Sequence, residues 1–179
     1  MAGLQAGASG LPFLPVPGHV GSDYETLRPD FKVITDPYSG KDVLLVPAIT
    51  PDVSVIHALQ ADAAGNLILD EKEDDFLLAQ ASRAVVASAE EIVDADTLRR
   101  APYGVRLSEI YVTALVPAPG GAHPTACRGR YGIDDAHITE YLRLAGSDDT
   151  FRDYLRCYVF DLKDHGAYLA EVGLGALAA

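Results

Sequence analysis

The sequence predicts an α/β fold: one domain over residues 1–179, built on an open, mostly parallel sheet with flanking helices. Two observations carry this. Residues 43–46 and 53–56 are apolar runs too short and too β-branched for helices, separated by the break at 47–52, and read as two adjacent buried strands. Strand-like, helix-like and strand-like patterns then succeed one another over residues 67–69, 74–82 and 84–89, the order that parallel crossovers require. The run at 53–56 also ends in polar residues, with His57 and Asp62 ahead of a Gly65-Asn66 turn. In open α/β sheets ligands sit beyond the carboxyl ends of the strands.

Taken in order, residues 1–9 read as the last turns of a helix closed by Gly10. Residues 11–16 follow as an apolar stretch whose two prolines exclude an interior strand, a start with nothing evident to pack on. Residues 18–23 are a loop in which Ser22 or Asp23 is placed to cap what comes next. Residues 31–35 and 43–46 form a hairpin through the turn residues Asp36, Pro37 and Gly40. The strand over 53–59 leads through Gly65-Asn66 to a short strand at 67–69 and a helix at 74–82, whose first acids suit the positive helix end. A small-residue strand at 84–89 runs into Glu90-Glu91, and residues 109–116 make another strand. Its continuation, 117–125, is a proline-glycine loop, after which Asp134 or Asp135 caps a helix through Leu144. Phe151, Tyr154, Leu155, Tyr158 and Val159 fall on one face of a last helix behind Ser147 and Asp148. Residues 167–170 extend that helical region, and 173–179 fray.

Composition removes several function classes. Apolar residues make up 49% and charged residues 22%, an ordinary globular balance. The net charge of −12 repels phosphate backbones and anionic lipids, so neither nucleic acid nor membrane is an expected partner. The acidic run at 70–75 reads as a solvated loop or helix start. Cys127 and Cys157 lack metal-ligand spacing, so neither a disulfide scaffold nor a zinc site is expected. Without a signal peptide or a spanning segment in the sequence, cytoplasm is the expected compartment.

Candidate chemistry is sparse. His57 and Asp62 fit a base and its orienter, or a half-buried histidine bonded to backbone beside a turn-stabilising aspartate; the second reading is favoured because no nucleophile is in view. His123 stands in the better-placed loop, where Gly120, Gly121 and Ala122 could present backbone N–H groups to an oxyanion, a carboxylate or a phosphate; a tight proline-glycine turn without a ligand is the equally weighted alternative. Glu90 and Glu91 fit a covalent carboxylate or, more commonly, a cap on the following helix. Ser22 lies outside any nucleophile elbow, and neither a Walker A nor a GxGxxG pattern occurs.

Further signals run the length of the chain in a fixed order. They are Gly3-Leu4-x-Ala6-Gly7-Ala8, Gly10-Leu11-Pro12-Phe13-Leu14-Pro15, Gly21-Ser22-Asp23, Asp36-Pro37-Tyr38 and Pro47-Ala48 with Pro51-Asp52. His57-x-x-x-Ala61-Asp62-x-x-Gly65-Asn66, Glu90-Glu91-Ile92-Val93, the 118–125 loop, and Tyr131 with Asp134 complete the set. Together they make the chain resemble the alpha (A) subunit of class I coenzyme A transferases, of the glutaconate and 3-oxoacid types, and the related CoA-ester hydrolases of steroid ring degradation.

That resemblance implies a NagB/RpiA/CoA-transferase-like α/β fold, of which residues 1–179 would be the carboxyl-terminal part, and obligate partnership with a beta (B) subunit. It implies transfer of CoA from an acyl-CoA to a carboxylic acid through a glutamyl-CoA intermediate, with coenzyme A as substrate and no permanently bound cofactor. The family's catalytic glutamate belongs to the beta half, or in the hydrolases to alpha sequence upstream of this start, so the resemblance assigns no catalytic residue here. Ser22, Asp23, Gly120, Gly121, Ala122 and His123 are the expected substrate-binding residues. Two departures stand out: the family's glycine-rich amino-terminal segment is missing, and Pro15-Val16-Pro17 lacks the usual arginine. A separate amino-terminal alpha fragment is therefore a further expected partner; a CoA-ester hydrolase of the same fold, in which water replaces the acceptor acid, is the alternative enzyme, and a non-catalytic assembly subunit or a gene fragment is the alternative from another class.

Overall fold

The structure, a computed structural model, describes residues 1–178. Helix α1 (Ala2–Ala8) opens the chain, and Gly10 at a φ of 66° ends it, with the Leu11 N–H donating to the Ala6 carbonyl at 2.9 Å. Strand β1 (Phe13–Val16), the short helix α2 (Tyr24–Leu27), β2 (Lys32–Thr35) and β3 (Asp42–Pro47) follow. These strands form an antiparallel sheet in the order β1-β3-β2. The hairpin between β2 and β3 is the expected one: Asp36 accepts the N–H groups of Tyr38 and Ser39, and Gly40 takes the left-handed conformation at 70°. The prolines of β1 are tolerated because β1 is an edge strand.

Next come β4 (Val53–Ala58), β5 (Gln60–Asp62), β6 (Leu67–Leu69), α3 (Asp75–Ala81), β7 (Ala84–Ala89) and β8 (Ile92–Val93). Then α4 (Ala95–Arg99), β9 (Val105–Leu107), β10 (Ala114–Pro117), α5 (Asp135–Leu144), α6 (Asp148–Leu155) and α7 (His165–Glu171) complete the elements used below. Strands β10, β7 and β4 make a wholly parallel sheet in that order, and β8-β5-β6-β9 make a third sheet. The outcome is an α/β fold with a parallel sheet and flanking helices, as the succession of patterns predicts.

Several local expectations change. Strands β3 and β4 are not neighbours: α1 holds the link between them, with the Ile49 N–H donating to the Gly3 carbonyl at 2.8 Å, and sends each run into a different sheet. The start of the chain therefore does have a surface to pack on. Residues 109–116 are not one strand. Glu109–Tyr111 is a 3₁₀ turn anchored by its Glu109 N–H on the Asn66 side chain, and pairing with β7 begins only at Ala114. Neither Ser22 nor Asp23 caps α2 through its side chain; the Ser22 hydroxyl donates to the His19 carbonyl. Asp134 and Ser147 do cap α5 and α6. Beyond α6 the helix widens into a π turn at Arg156–Phe160, which changes the angular step and leaves Val159 53% exposed instead of on the packed face. Residues 175–178 form a 3₁₀ turn where fraying was expected, and Ala179 lies outside the described residues.

One core lies between the parallel sheet, the third sheet and α3. Ile56, Ala58, Val85, Ala87 and Ala89 meet Leu67, Leu69, Leu107 and Ala79 there, all buried. It holds the carboxyl ends of β4 and β7 side by side.

Candidate functional site

Parallel register places His57 of β4 opposite Ser88 of β7. Side chains alternate along a strand, so Glu90, two residues beyond Ser88, continues the same face past the strand end. His57 Nδ1 lies 2.8 Å from the Ser88 hydroxyl, and His57 Nε2 lies 2.7 Å from Glu90 Oε1. The Tyr131 hydroxyl donates to the same oxygen at 2.5 Å, while the Gly120 N–H donates to Glu90 Oε2 at 2.9 Å. Tyr131 in turn accepts the Ala122 N–H at 2.9 Å. Glu90 is thus a hub joining β4, β7, the glycine loop and the Cys127–Tyr131 turn.

The Glu90 side chain is only 2% exposed. Burial alone raises a carboxyl pKa, but the Tyr131 hydroxyl, the Gly120 N–H and His57 overcome it and hold Glu90 below the usual carboxylate range. An ionised carboxylate only accepts, so Nε2 of His57 carries a proton. Burial, with Glu90 nearby, pushes the Cys127 thiol up to about 12. Burial and the bond to Glu90 also raise the Tyr131 hydroxyl.

This pattern has a consequence in acid. A carboxyl depressed in the folded state contributes stability that is fully present above its unfolded value, near 4.5, and is lost as pH falls through the folded value. Asp62 is depressed too: burial raises it, and bonds from Asn66 and the Ala64 N–H outweigh that. The melting temperature should therefore fall as pH drops from 5 to 3, and Glu90→Gln should show a shallower fall over that interval. Parallel curves for the two proteins would show that Glu90 contributes no acid dependence.

Donor atoms of His57, Glu90 and Cys127 lie within 4.8 Å of one another, close enough to consider a metal. The chemistry does not fit one. Glu90 already serves three donors, and both ring nitrogens of His57 are engaged, Nδ1 by Ser88 and Nε2 by Glu90, which leaves them no free lone pair to offer. Beside the cluster lies a cleft of about 230 Å³ lined by His57, Asp75, Ala122, Thr125, Cys127 and Arg128. A larger cleft of about 500 Å³, floored by Leu67, Leu98 and Leu107 and lined also by Asp62, Arg99 and Arg106, lies elsewhere.

The residues expected to bind substrate divide into two places. Ser22 and Asp23 belong to the loop before α2 in the antiparallel sheet. Gly120, Gly121, Ala122 and His123 flank the Glu90 hub, but their N–H groups are already engaged. Gly120 donates to Glu90, Gly121 to the Ala118 carbonyl, Ala122 to Tyr131 and His123 to the Gly120 carbonyl. The anion they meet is the chain's own carboxylate. The His123 side chain is 3% exposed, with Nδ1 at 2.6 Å from the Tyr168 hydroxyl and Nε2 at 3.2 Å from Asp134. It ties the loop to α5 and α7.

Asp62 behaves as the turn reading expects, accepting the Ala64 and Asn66 N–H groups and the Asn66 amide. His57 departs from it, because its partners are side chains and not backbone. Glu90 does not cap α4; Asp94 does, accepting the Asp96 and Thr97 N–H groups. Glu91 faces solvent and pairs with Arg130 at 2.5 Å. Ser88 and Tyr131 were missed as site residues. For Ser88 the signal is the matching polar ends of two parallel runs, which only strand register turns into contact; Tyr131, in the Cys127–Tyr131 turn, reaches Glu90 only through the fold.

Comparison with known proteins agrees with this architecture. The family model described as "Coenzyme A transferase" matches residues 1–117. The A subunit of glutaconate CoA-transferase from Acidaminococcus fermentans is 36% identical over 94% of this chain and 58% of its own. The A subunit of 3-oxoadipate CoA-transferase from Pseudomonas knackmussii is 33% identical over 95% of this chain and 60% of its own. The cholesterol ring-cleaving hydrolase IpdA subunit of Rhodococcus jostii is 31% identical over 90% and 58%. The crystal structure of the A. fermentans glutaconate enzyme superposes with a TM-score of 0.84 at 33% identity, covering 98% of this chain and 61% of that one. The chain thus spans 58 to 60% of the length of these curated relatives. With the family model matched over most of its length and the alpha-subunit pattern along the rest, this protein belongs to the coenzyme A transferase family, of the alpha (A) subunit type.

Proposed function

We propose that the chain serves as the alpha subunit of an enzyme that moves coenzyme A between an acyl-CoA and a carboxylic acid, partnered by a B-type subunit, with the covalent glutamate outside these residues. The observation that carries this reading is the state of Glu90. A carboxylate 2% exposed, engaged by three donors and depressed in pKa is a stabilised anion without access to a thioester, and a poor nucleophile. Its chemistry is positional: it fixes the loop at 120–123 against His57. Gly120, Gly121, Ala122 and His123 then form one substrate-side loop, contributing shape because their N–H groups are engaged, and Ser22 and Asp23 contribute from the separate loop before α2. The names of two transferases among the relatives support the substrate class, coenzyme A included.

The test is to incubate the assembled complex with an acyl-CoA and a carboxylic acid, follow transfer of CoA, and locate the trapped glutamyl adduct by peptide mass spectrometry. Acid-dependent CoA transfer with the adduct on another chain or segment is expected. An adduct on Glu90 would overturn the assignment. The IpdA relative supports a second reading, hydrolysis of a CoA-linked ring compound. Release of free CoA without any acceptor acid would establish that one instead.

A further inference from the structure

The chain sequence leaves His57 without a nucleophile, and the fold supplies one. Ser88 stands opposite His57 in the parallel register of β4 and β7, with its hydroxyl 2.8 Å from His57 Nδ1. Across the same ring, Nε2 lies 2.7 Å from Glu90 Oε1. Polarity along this line is fixed at its buried end. Glu90 is ionised and only accepts, so Nε2 donates to it and the neutral ring keeps its lone pair at Nδ1. The Ser88 hydroxyl is the donor that faces this lone pair; the other acceptor within its reach, the Ile56 carbonyl, is farther off at 3.4 Å.

A hydroxyl within hydrogen-bond reach of an imidazole that a carboxylate orients is the arrangement of an activated nucleophile, recognised by geometry and roles and not by sequence position. Either ring nitrogen serves as the base once the other carries the proton. Ser88 is also reachable. It is half-buried and shares its sheet face with Val55 and Val116, which are 74% and 51% exposed, and the His57 side chain is 19% exposed. One element of a fast hydrolase is missing from the loop beside it. The N–H groups of Gly120, Gly121, Ala122 and His123 are engaged, so this loop offers a developing oxyanion no donor. The chemistry that fits is a single acylation, without rapid turnover.

We propose that Ser88 is an acyl-acceptor nucleophile with His57 as its general base, and that the donor is an acyl thioester. The donor class rests on the acyl-CoA reading above, whereas the nucleophile rests on geometry alone. In the step, a bond forms between Ser88 Oγ and the acyl carbon, and the carbon–sulfur bond breaks. The hydroxyl proton passes to His57 Nδ1, giving an imidazolium paired with Glu90, and then to the leaving thiolate. Acyl-serine, free thiol and neutral His57 result.

Acetylation tests it. The full chain is incubated with p-nitrophenyl acetate and, separately, with acetyl-CoA, and the acetyl groups are located over time by peptide mass spectrometry. Ser22 is the internal reference: it is half-buried like Ser88, but its hydroxyl donates to the His19 carbonyl and meets no base. Acetylation of Ser88 at least about 100-fold faster than of Ser22 is expected from both donors, the scale of general-base assistance. His57→Gln should remove the difference, and Ser88→Ala should abolish the fast acetylation with the melting curve unchanged. The comparison of the two serines within the unaltered chain stands even if the His57 variant does not fold. Equal rates at Ser88 and Ser22 overturn the proposal, and acetylation by the nitrophenyl ester alone overturns its donor class. The CoA-transfer assay on the assembled complex separates the two claims. Transfer with Ser88 unlabelled removes only the acyl acceptor, whereas a labelled Ser88 without transfer removes only the transferase reading.

Discussion

Glu90→Ala is expected to lower the melting temperature of the chain by about 8–16 °C and to abolish activity of the assembled enzyme. The substitution strands three donors at once: Nε2 of His57, the Tyr131 hydroxyl and the Gly120 N–H. Each buried unsatisfied group costs about 1–3 kcal/mol, and breaking a buried charged network costs about 3–5 kcal/mol in all. At roughly 2–4 °C per kcal/mol for a chain of this size, about 4 kcal/mol gives the stated shift. Glu90→Gln keeps an acceptor oxygen but turns an amide N–H₂ toward at least one donor, so about half the effect is expected. Thermal unfolding by circular dichroism measures both. A shift under about 2 °C for the alanine variant would mean that the hub does not hold the loop.

Gly7→Ala should also destabilise, by about 3 kcal/mol, and so lower the melting temperature by about 6–12 °C. The sign matters, because glycine to alanine inside a helix ordinarily gains about 1 kcal/mol of propensity. Here a Cβ on Gly7 would stand 2.2 Å from the Ile49 carbonyl oxygen and 3.2 Å from Thr50 Cγ2. Gly3, one turn earlier on the same face, brings its own position within 2.9 Å of the Pro47 carbonyl oxygen. These two glycines let α1 lie directly on the backbone that separates β3 from β4. An alanine must push the helix away, and backbone cannot swing aside as a side-chain tip can. Gly18→Ala, where a Cβ would meet nothing within 4 Å, should change stability by no more than about 0.5 kcal/mol. If Gly7→Ala instead raises the melting temperature, the close approach of α1 is wrong.

The glycine pair shows where legibility in the sequence ends. Gly3 and Gly7 stand out as a repeated small-residue spacing, and the helix they sit on is foreseeable from the closure at Gly10. What they approach is not, because Ile49 is more than forty residues away and reaches them only through the folded path of β3. Likewise β6 and β7 match their expected limits, and the β2–β3 hairpin follows from Asp36 and Gly40, whose demands on the backbone are local. The supposed strand at 109–116 failed because its apolar pattern does not reveal that Asn66, in a distant turn, captures the Glu109 N–H.

By itself the sequence determined the α/β class, most of the elements, the two polar strand ends and the glycine loop, since each depends on spacing or backbone preference within a few residues. Tertiary structure alone decided their chemistry. Register of β4 against β7 set His57 beside Ser88, and burial then made Glu90 the acceptor for a tyrosine 41 residues away and a glycine N–H 30 residues away. A carboxylate's role follows from its donors and its exposure, and both are fixed by contacts between segments that no local pattern encodes.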